Sequence, residues 1–370
     1  MQKIRVGVDV RELTGRPAGK GLHLLHLLEE WKEGDFELIF YTKKNTQLPH
    51  TIALLAAEVH EVSGRGLLWH RSVAKRLTKD RVELFLAALS YQSAIWNKVP
   101  TITIVPDLIA LVVTGIRQNR KAQLTEKLFL KRMLTKTAAV ICCSHATKSD
   151  LEKVAGRLSV PVVVTHLAPE KHVAKKDLVS REKRQREVLF VGTLEPRKNI
   201  KRLLEAFQGM KPELQEEYRL VFAGKEGWGG EGYAQIAHQL GIAQRVDFLG
   251  YISTEEREKR YKEAYLLCYP SLYEGFGLPV IEAMSYGTPV ITSNTSSIPE
   301  VVGSAAILVD PTSTHALTSA LEEVLTSPTC WEKLHLEGFE RAQEFSWAKT
   351  ARKTKDLLLE VYNKKVATTK

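Results

Sequence analysis

Short apolar runs alternate with segments of helical period along the whole chain. In the first half, IRVGVDV (4–10), FELIFYT (36–42), VELFLA (82–87), TITIV (101–105) and AAVICCS (138–144) are near-continuous apolar stretches, the pattern of strands buried on both faces. Between them, LHLLHLLEEW (22–31), LLWHRSVAKRLTKDR (67–81), IRQNRKAQLTEKLFLKRMLTK (116–136) and the segment from His145 repeat at helical spacing. Ser144 is placed to cap the last of these. The second half restarts with VLFVG, RLVFAGKEG, RVDFLGYIS, LLCYPS, TPVITS and AAILVD. Interleaved with them are NIKRLLEAF, YAQIAHQL, EEREKRYKEA, a helix opening near Gly277, SIPEVVG and HALTSALEEVL. Strands that alternate with helices predict parallel sheets covered on both faces. The expected fold class is therefore α/β, with two doubly wound, Rossmann-like domains.

The charged stretch APEKHVAKKDLVSREKRQRE has no core-forming period and predicts a linker over 171–186. It separates an N-terminal domain, 1–170, from a C-terminal domain, 187–346. The last run, SWAKTARKTKDLLLEVYNKKV, continues neither pattern and predicts a helix over 347–366 that crosses back onto the first domain. A length of 370 residues agrees with two domains, at roughly 100–200 residues each.

Composition adds less. The apolar IRVGVDV segment begins within three residues of Met1, so no cleavable signal peptide is expected, and ITIVPDLIALVV is too short to span a bilayer. Both point to a cytoplasmic protein. The four cysteines show neither metal-ligand nor disulfide spacing and read as packing residues. A formal charge of +10 would suit nucleic acid, anionic lipid or phosphorylated ligands. The two basic segments of the first half mix Lys and Arg with Leu, Phe and Trp. They read either as solvated outer faces or as helices lying on anionic headgroups, a peripheral membrane contact. No nucleic-acid module and no aromatic stacking platform is visible, so nucleic acid is not an expected partner.

Candidate chemistry concentrates where strands end, as doubly wound sheets require: at Gly192, Gly224, Pro270 and Ser293. In YPSLYEGFGLPVIEAMSYGTPV, Glu274 and Glu282 are separated by seven residues, Gly275 and Gly277 flank Phe276, and Pro279 sits in a first helical turn. Backbone N–H groups from Gly275 to Leu278 and the positive helix end suit a phosphate. The two carboxylates would repel one, so they are read as acceptors for sugar hydroxyls. In VGTLEPRKNIKRLLEAF, Arg197 and Lys198 follow Gly192 and can clamp a diphosphate without a metal, with Asn199 placed to cap the next helix. Gly19 and Gly21 precede a first-domain helix and allow close approach of a negative group. His23 and His26 on that helix lack a third ligand. Gly227, Gly229 and Gly232 satisfy G-x-G-x-x-G, with Asp247 at the expected distance. However, the preceding strand ends at Gly224 and Asp247 opens its own strand, so a nicotinamide site is not predicted. Trp228 and Lys225 are read instead as bordering the ligand cleft.

The spacing of Glu274 and Glu282 within GFGLPVIEAMSYGTPVI, the VGTLEPRKNIKRLLEAF segment and the amino-terminal GKG together resemble the GT-B fold retaining glycosyltransferases of family 4, or glycosyl transferases group 1. That resemblance implies two domains facing across a cleft. It also implies metal-independent hexosyl transfer from a nucleotide diphosphate sugar to a glycan or polyisoprenyl-linked acceptor hydroxyl with retention. By it, Arg197 and Lys198 bind the donor diphosphate, Glu282 the ribose and Glu274 the donor sugar, helped by the N–H groups of Phe276, Gly277 and Leu278. Tyr251 and Ile252 border the base, while Gly19 and Gly21 face phosphate and acceptor. The leaving phosphate would take the acceptor proton on the front face. The TLEPRKN pattern is similar to that of mannosyltransferases, which suggests GDP-mannose as donor. One departure is that the family's usual His-Asp is here Pro106-Asp107, leaving Pro106 only a backbone carbonyl to offer beside the candidate Asp107. A nucleotide-sugar epimerase and a catalytically weak nucleotide-binding subunit are the alternatives.

Overall fold

The computed structural model describes residues 3–14, 19–31, 34–88, 90, 92–113, 120–229 and 232–369. The chain divides into two compact units, residues 1–167 with 346–370 and residues 168–345.

The first unit is built on a seven-stranded parallel sheet: β1 (Ile4–Asp9), β2 (Phe36–Lys43), β3 (Glu58–Val62), β4 (Leu84–Ala87), β5 (Thr101–Val105), β6 (Ala139–Cys142) and β7 (Val162–Val164), in the order β3-β2-β1-β4-β5-β6-β7. The five apolar runs became β1, β2, β4, β5 and β6. The two edge strands went unpredicted. β3 has the half-exposed sequence EVHEV and β7 is three residues long, so neither carries the apolar signature of a central strand. Charge pins β3 in place: Arg5 on β1 reaches Glu37 on β2 at 2.5 Å and Glu58 on β3 at 2.7 Å. The terminal helix, Trp347–Thr369, packs Ala351, Leu357, Leu358 and Val361 into the core beside Leu24, Leu27 and Leu28 of the Lys20–Glu30 helix. The Trp31 indole N–H donates to the Ala351 carbonyl at 3.2 Å.

The second unit carries six parallel strands, β8 (Gln185–Val191), β9 (Arg219–Ala223), β10 (Val246–Gly250), β11 (Ala264–Tyr269), β12 (Val290–Ser293) and β13 (Ile307–Val309), in the order β10-β9-β8-β11-β12-β13. All six apolar runs became strands. The order reverses between β8 and β11, which sets their outgoing loops side by side. The stretch expected as a linker, 171–186, falls within this unit. One residue explains why: Arg184 is buried, and its guanidinium donates to the carbonyls of Val179, Ala264, Tyr286 and Gly287 and to the Thr288 hydroxyl. Burial lowers its pKa to about 9. A charged composition concealed one charge placed for packing.

Candidate functional site

The loops leaving β8 and β11 are tied together before any charged group is considered. After Val191 the chain turns through Gly192 into a short 3-10 turn, Pro196–Lys198, and then into the Ile200–Gln208 helix. Asn199 sits at the helix start in the left-handed region, with φ 63, a conformation that asparagine tolerates. Its side chain does not cap the helix as expected. The amide donates instead to the carbonyls of Pro270 at 3.0 Å and Pro311 at 2.7 Å, so it staples three strand-end loops together. The Leu272 N–H adds a bond to the Arg197 carbonyl at 2.9 Å.

That stapling brings Arg197, Lys198 and Glu274 together. Glu274 Oε1 accepts from Arg197 at 2.8 Å, Lys198 at 2.7 Å, Ser271 at 2.5 Å and the Tyr269 hydroxyl at 3.1 Å. Arg197 also donates to the Tyr273 carbonyl at 2.7 Å, and Lys198 to the Tyr269 hydroxyl. All of the described hydrogen bonds to this carboxylate fall on Oε1. Burial would raise the Glu274 pKa, but the fields of Lys198 and Arg197 outweigh it and hold the group at about 2. Lys198 is itself pushed down, by burial first and then by Arg197, against the pull of Glu274. Glu195 Oε2 also stands 3.5 Å from Arg197, so two cations face two carboxylates at the carboxyl end of the sheet, and both cations lie nearest the buried Glu274. The sequence reading had assigned the cations to phosphate and the carboxylate to sugar. The structure joins them in one hydrogen-bonded group.

The Gly275–Gly277 turn is held by serines. The Ser297 hydroxyl donates to the carbonyls of Glu274 and Phe276, both at 3.0 Å, and the Ser296 hydroxyl accepts from the Glu274 N–H at 2.9 Å. Phe276 is buried edge-on against Phe345, so only its backbone can serve a ligand. Gly277 opens the Leu278–Ser285 helix at φ 103. The positive φ favours glycine, and a Cβ there would also lie 2.6 Å from Ile298 Cδ1 and push that side chain aside.

Glu282 lies on the second turn of that helix. Its Oε2 accepts from the Tyr261 hydroxyl at 2.9 Å, and Arg257, which holds Glu170 at 2.5 Å, stands 3.9 Å from Oε1. Here burial wins: the Glu282 pKa is raised despite Arg257 and Tyr261.

Gly192 and Gly224 meet backbone to backbone. A Cβ on Gly224 would fall 1.9 Å from the Gly192 carbonyl oxygen, so close approach of two loops accounts for the glycine at 224. The neighbouring loop docks on the β8 loop through Leu194 N–H to Lys225 O at 2.9 Å and Gly227 N–H to Leu194 O at 3.0 Å, and it leaves Trp228 54% exposed. Asp247 is forked onto Arg219 at 2.7 Å on both oxygens, consistent with the rejection of a dinucleotide motif. Tyr251, exposed, and Ile252 follow β10.

The remaining candidates lie in the first unit. Gly19 caps the Lys20–Glu30 helix at φ 49 with open space where a Cβ would stand, and Gly21 is buried in its first turn. Asp107 accepts from the Ile109 N–H at 3.3 Å. The Pro106 carbonyl, the one polar group that residue can offer, accepts from the Cys143 thiol at 2.7 Å and the Thr147 hydroxyl at 3.3 Å. Sequence reading missed Tyr269, Ser271, Ser296, Ser297, Tyr261 and Arg257. Tyr269 and Ser271 flank Pro270 at the end of β11, a position that alone could have flagged them.

Residues 172–343 match the family model described as glycosyl transferases group 1. Over 159 residues the chain is 39% identical to an O-antigen chain mannosyltransferase B of Escherichia coli, a stretch that covers 43% of this chain and 42% of that protein. The chain thus spans less than half the length of that relative. Among solved structures, a sucrose-phosphate synthase from Thermosynechococcus elongatus superposes with a TM-score of 0.78 at 18% identity, covering 98% of this chain and all of that one. HepE of Anabaena in complex with UDP-glucose does so with a TM-score of 0.76 at 15% identity, covering 96% of this chain and 100% of that one. The fold is that of the GT-B proteins, and the stretch that matches the glycosyl transferases group 1 model makes up nearly all of the second unit.

Proposed function

We propose that the chain is a retaining glycosyltransferase that moves a hexose, mannose foremost, from a nucleotide diphosphate sugar to a hydroxyl of a glycan or lipid-linked acceptor. The observation that carries this reading is the buried Arg197–Lys198–Glu274 group, which sets two cationic donors at the β8/β11 reversal. Charge developing on a departing diphosphate would meet preorganised donors there, supplemented by the positive end of the Leu278–Ser285 helix. Because those cations supply the neutralising charge, the reading is metal-independent. Glu274, ionised and anchored through Oε1, keeps Oε2 for a donor-sugar hydroxyl, and Glu282 takes the ribose. The family match and the mannosyltransferase relative support the activity, and the UDP-glucose complex of HepE supports a nucleotide-sugar donor. GDP-mannose is the donor to test first.

The acceptor falls to the first unit, with Gly19, Gly21 and Asp107 on its strand-end loops. No described helix is long and apolar enough to cross a membrane. Peripheral contact with anionic lipid is proposed through two helices. Leu67 and Leu68 are exposed near Arg71 and Lys75, and Leu124 and Leu128, each 61% exposed, alternate with exposed Lys127 and Lys131.

The test incubates the full chain with GDP-mannose, UDP-glucose and related donors, following thermal stabilisation and nucleotide release with and without a mannoside acceptor. A donor that raises the melting temperature of wild type but not of Glu282→Ala supports the pocket. If no nucleotide sugar shifts melting, the reading fails, and isomerisation of a donor without acceptor would replace it with an epimerase.

A further inference from the structure

The helix Thr254–Glu263 carries Arg257 and Tyr261 one turn apart on the same face, and that face meets Glu282 within the second unit. Tyr261 donates to Glu282 Oε2 at 2.9 Å. Arg257 Nη2 bonds Glu170 at 2.5 Å and stops 3.9 Å from Glu282 Oε1, about 1 Å beyond an ordinary hydrogen bond. One guanidinium is therefore set between two carboxylates and bonded to one. The other groups around Glu282 do little for its charge. Burial acts first to raise its pKa, Glu170 and Glu258 add to that, and Arg257 and Tyr261 oppose it. Lys171 is bonded to Glu258 at 2.8 Å. Tyr269 and Tyr286, also within the field of Glu282, are neutral phenols whose pKa values burial raises further.

An arginine placed only to tether residue 170 would be saturated, because a buried donor left unmade is costly. Arg257 is not. Its Nε is buried without a partner, and Glu282 Oε1 accepts no hydrogen bond among the described residues. A donor and an acceptor are thus left open on two side chains that stand 3.9 Å apart. The chemistry of a diol decides what such a pair can do. Two vicinal hydroxyls donate best to an ionised carboxylate, which accepts on both oxygens, whereas the protonated acid has a proton of its own to donate. A buried carboxylate ionises when a cation stands against it. Among the described residues, Arg257 is the one cation in ion-pair reach of Glu282.

We infer that Arg257 is a positioning residue for the donor nucleotide: as the ribose hydroxyls bind, it leaves Glu170 for Glu282 Oε1 and holds that carboxylate charged to accept them. The assignment rests on the reading above in which Glu282 takes the ribose. Glu170 is then a competitor for Arg257, and neutralising it favours the ligand.

The test titrates the full chain with GDP and with UDP by calorimetry from pH 5.5 to 8, each against its 2′,3′-dideoxy form. The dideoxy nucleotide carries the same base and phosphates, so the ratio of the two affinities isolates the hydroxyls. In wild type this ratio should favour the ribonucleotide and fall as pH falls, because protonation of Glu282 removes the charged acceptor. Arg257→Met should lower the ratio at pH 6 about tenfold, the effect of moving the ionisation by about one unit, and Arg257→Lys should restore part of it. Glu170→Gln should act the other way, raising the ratio at pH 6 about threefold and moving its fall to lower pH. A structural ion pair would not behave so, since breaking it from either side disturbs the same contact. Shifts in the same direction for Arg257→Met and Glu170→Gln, no shift in either, or a pH-independent wild-type ratio would overturn the inference. Glu170→Gln decides it alone if Arg257→Met does not fold. Nucleotide binding that persists through those outcomes leaves the transferase reading standing. Wild type that binds neither nucleotide removes both.

Discussion

Glu274 and Glu282 are equally buried, at 8% and 7% exposure, yet their pKa values move in opposite directions. Burial alone pushes both upward. Around Glu274 two cations and two hydroxyls converge on one oxygen, whereas Glu282 has one hydroxyl and a cation 3.9 Å away. The number of charges within hydrogen-bond reach, not depth, decides which carboxylate is held ionised. One belongs to a locked electrostatic group, while the other can respond to a ligand.

The largest effect should come from Glu274→Ala, which leaves Arg197 and Lys198 buried without their carboxylate. A loss of about 3–5 kcal/mol is expected in denaturant unfolding, with loss of most turnover in the nucleotide-release assay. If unfolding were unchanged, the group would be a loose surface cluster and the comparison would fail. Lys198→Met keeps the Arg197–Glu274 bond, so a smaller loss of about 1–3 kcal/mol is expected, with weakened donor binding measured by titration.

Glu282→Gln sharpens the contrast, since it removes a charge that the fold disfavours. Stability at pH 7 should stay within about 1 kcal/mol of wild type, while the KM for donor rises several-fold. The pH profiles should run in opposite senses. The Glu274 pKa is depressed, so its stabilisation is fully present above the ordinary 4.5 and is lost as pH falls toward about 2. The Glu282 pKa is raised, so its contribution is present below 4.5 and is lost as pH rises through the folded value. Urea unfolding of Glu274→Gln and Glu282→Gln against wild type between pH 3 and 7 measures both slopes. Parallel slopes would mean that the two environments do not differ. Ser296→Ala should give the smallest effect, about 1 kcal/mol, from one lost bond to the Glu274 N–H.

Much of this was legible in the chain itself. Apolar runs located every central strand, because a strand buried on both faces has no polar alternation to disguise it. Pro279 and Gly277 marked a helix start, and the spacing of Glu274 and Glu282 marked a family. The edge strands β3 and β7 escaped for the same reason in reverse: half-exposed or three-residue strands leave too weak a pattern. What the sequence determined by itself was local, namely the elements, the strand-end glycines and the charged residue types set beside them. Tertiary structure decided the partnerships. Arg197 meets Glu274 across 77 positions, Arg184 meets Gly287 across 103, and Asn199 meets Pro311 across 112. Such contacts depend on which strands the sheet sets side by side, and no periodicity along the chain encodes that choice.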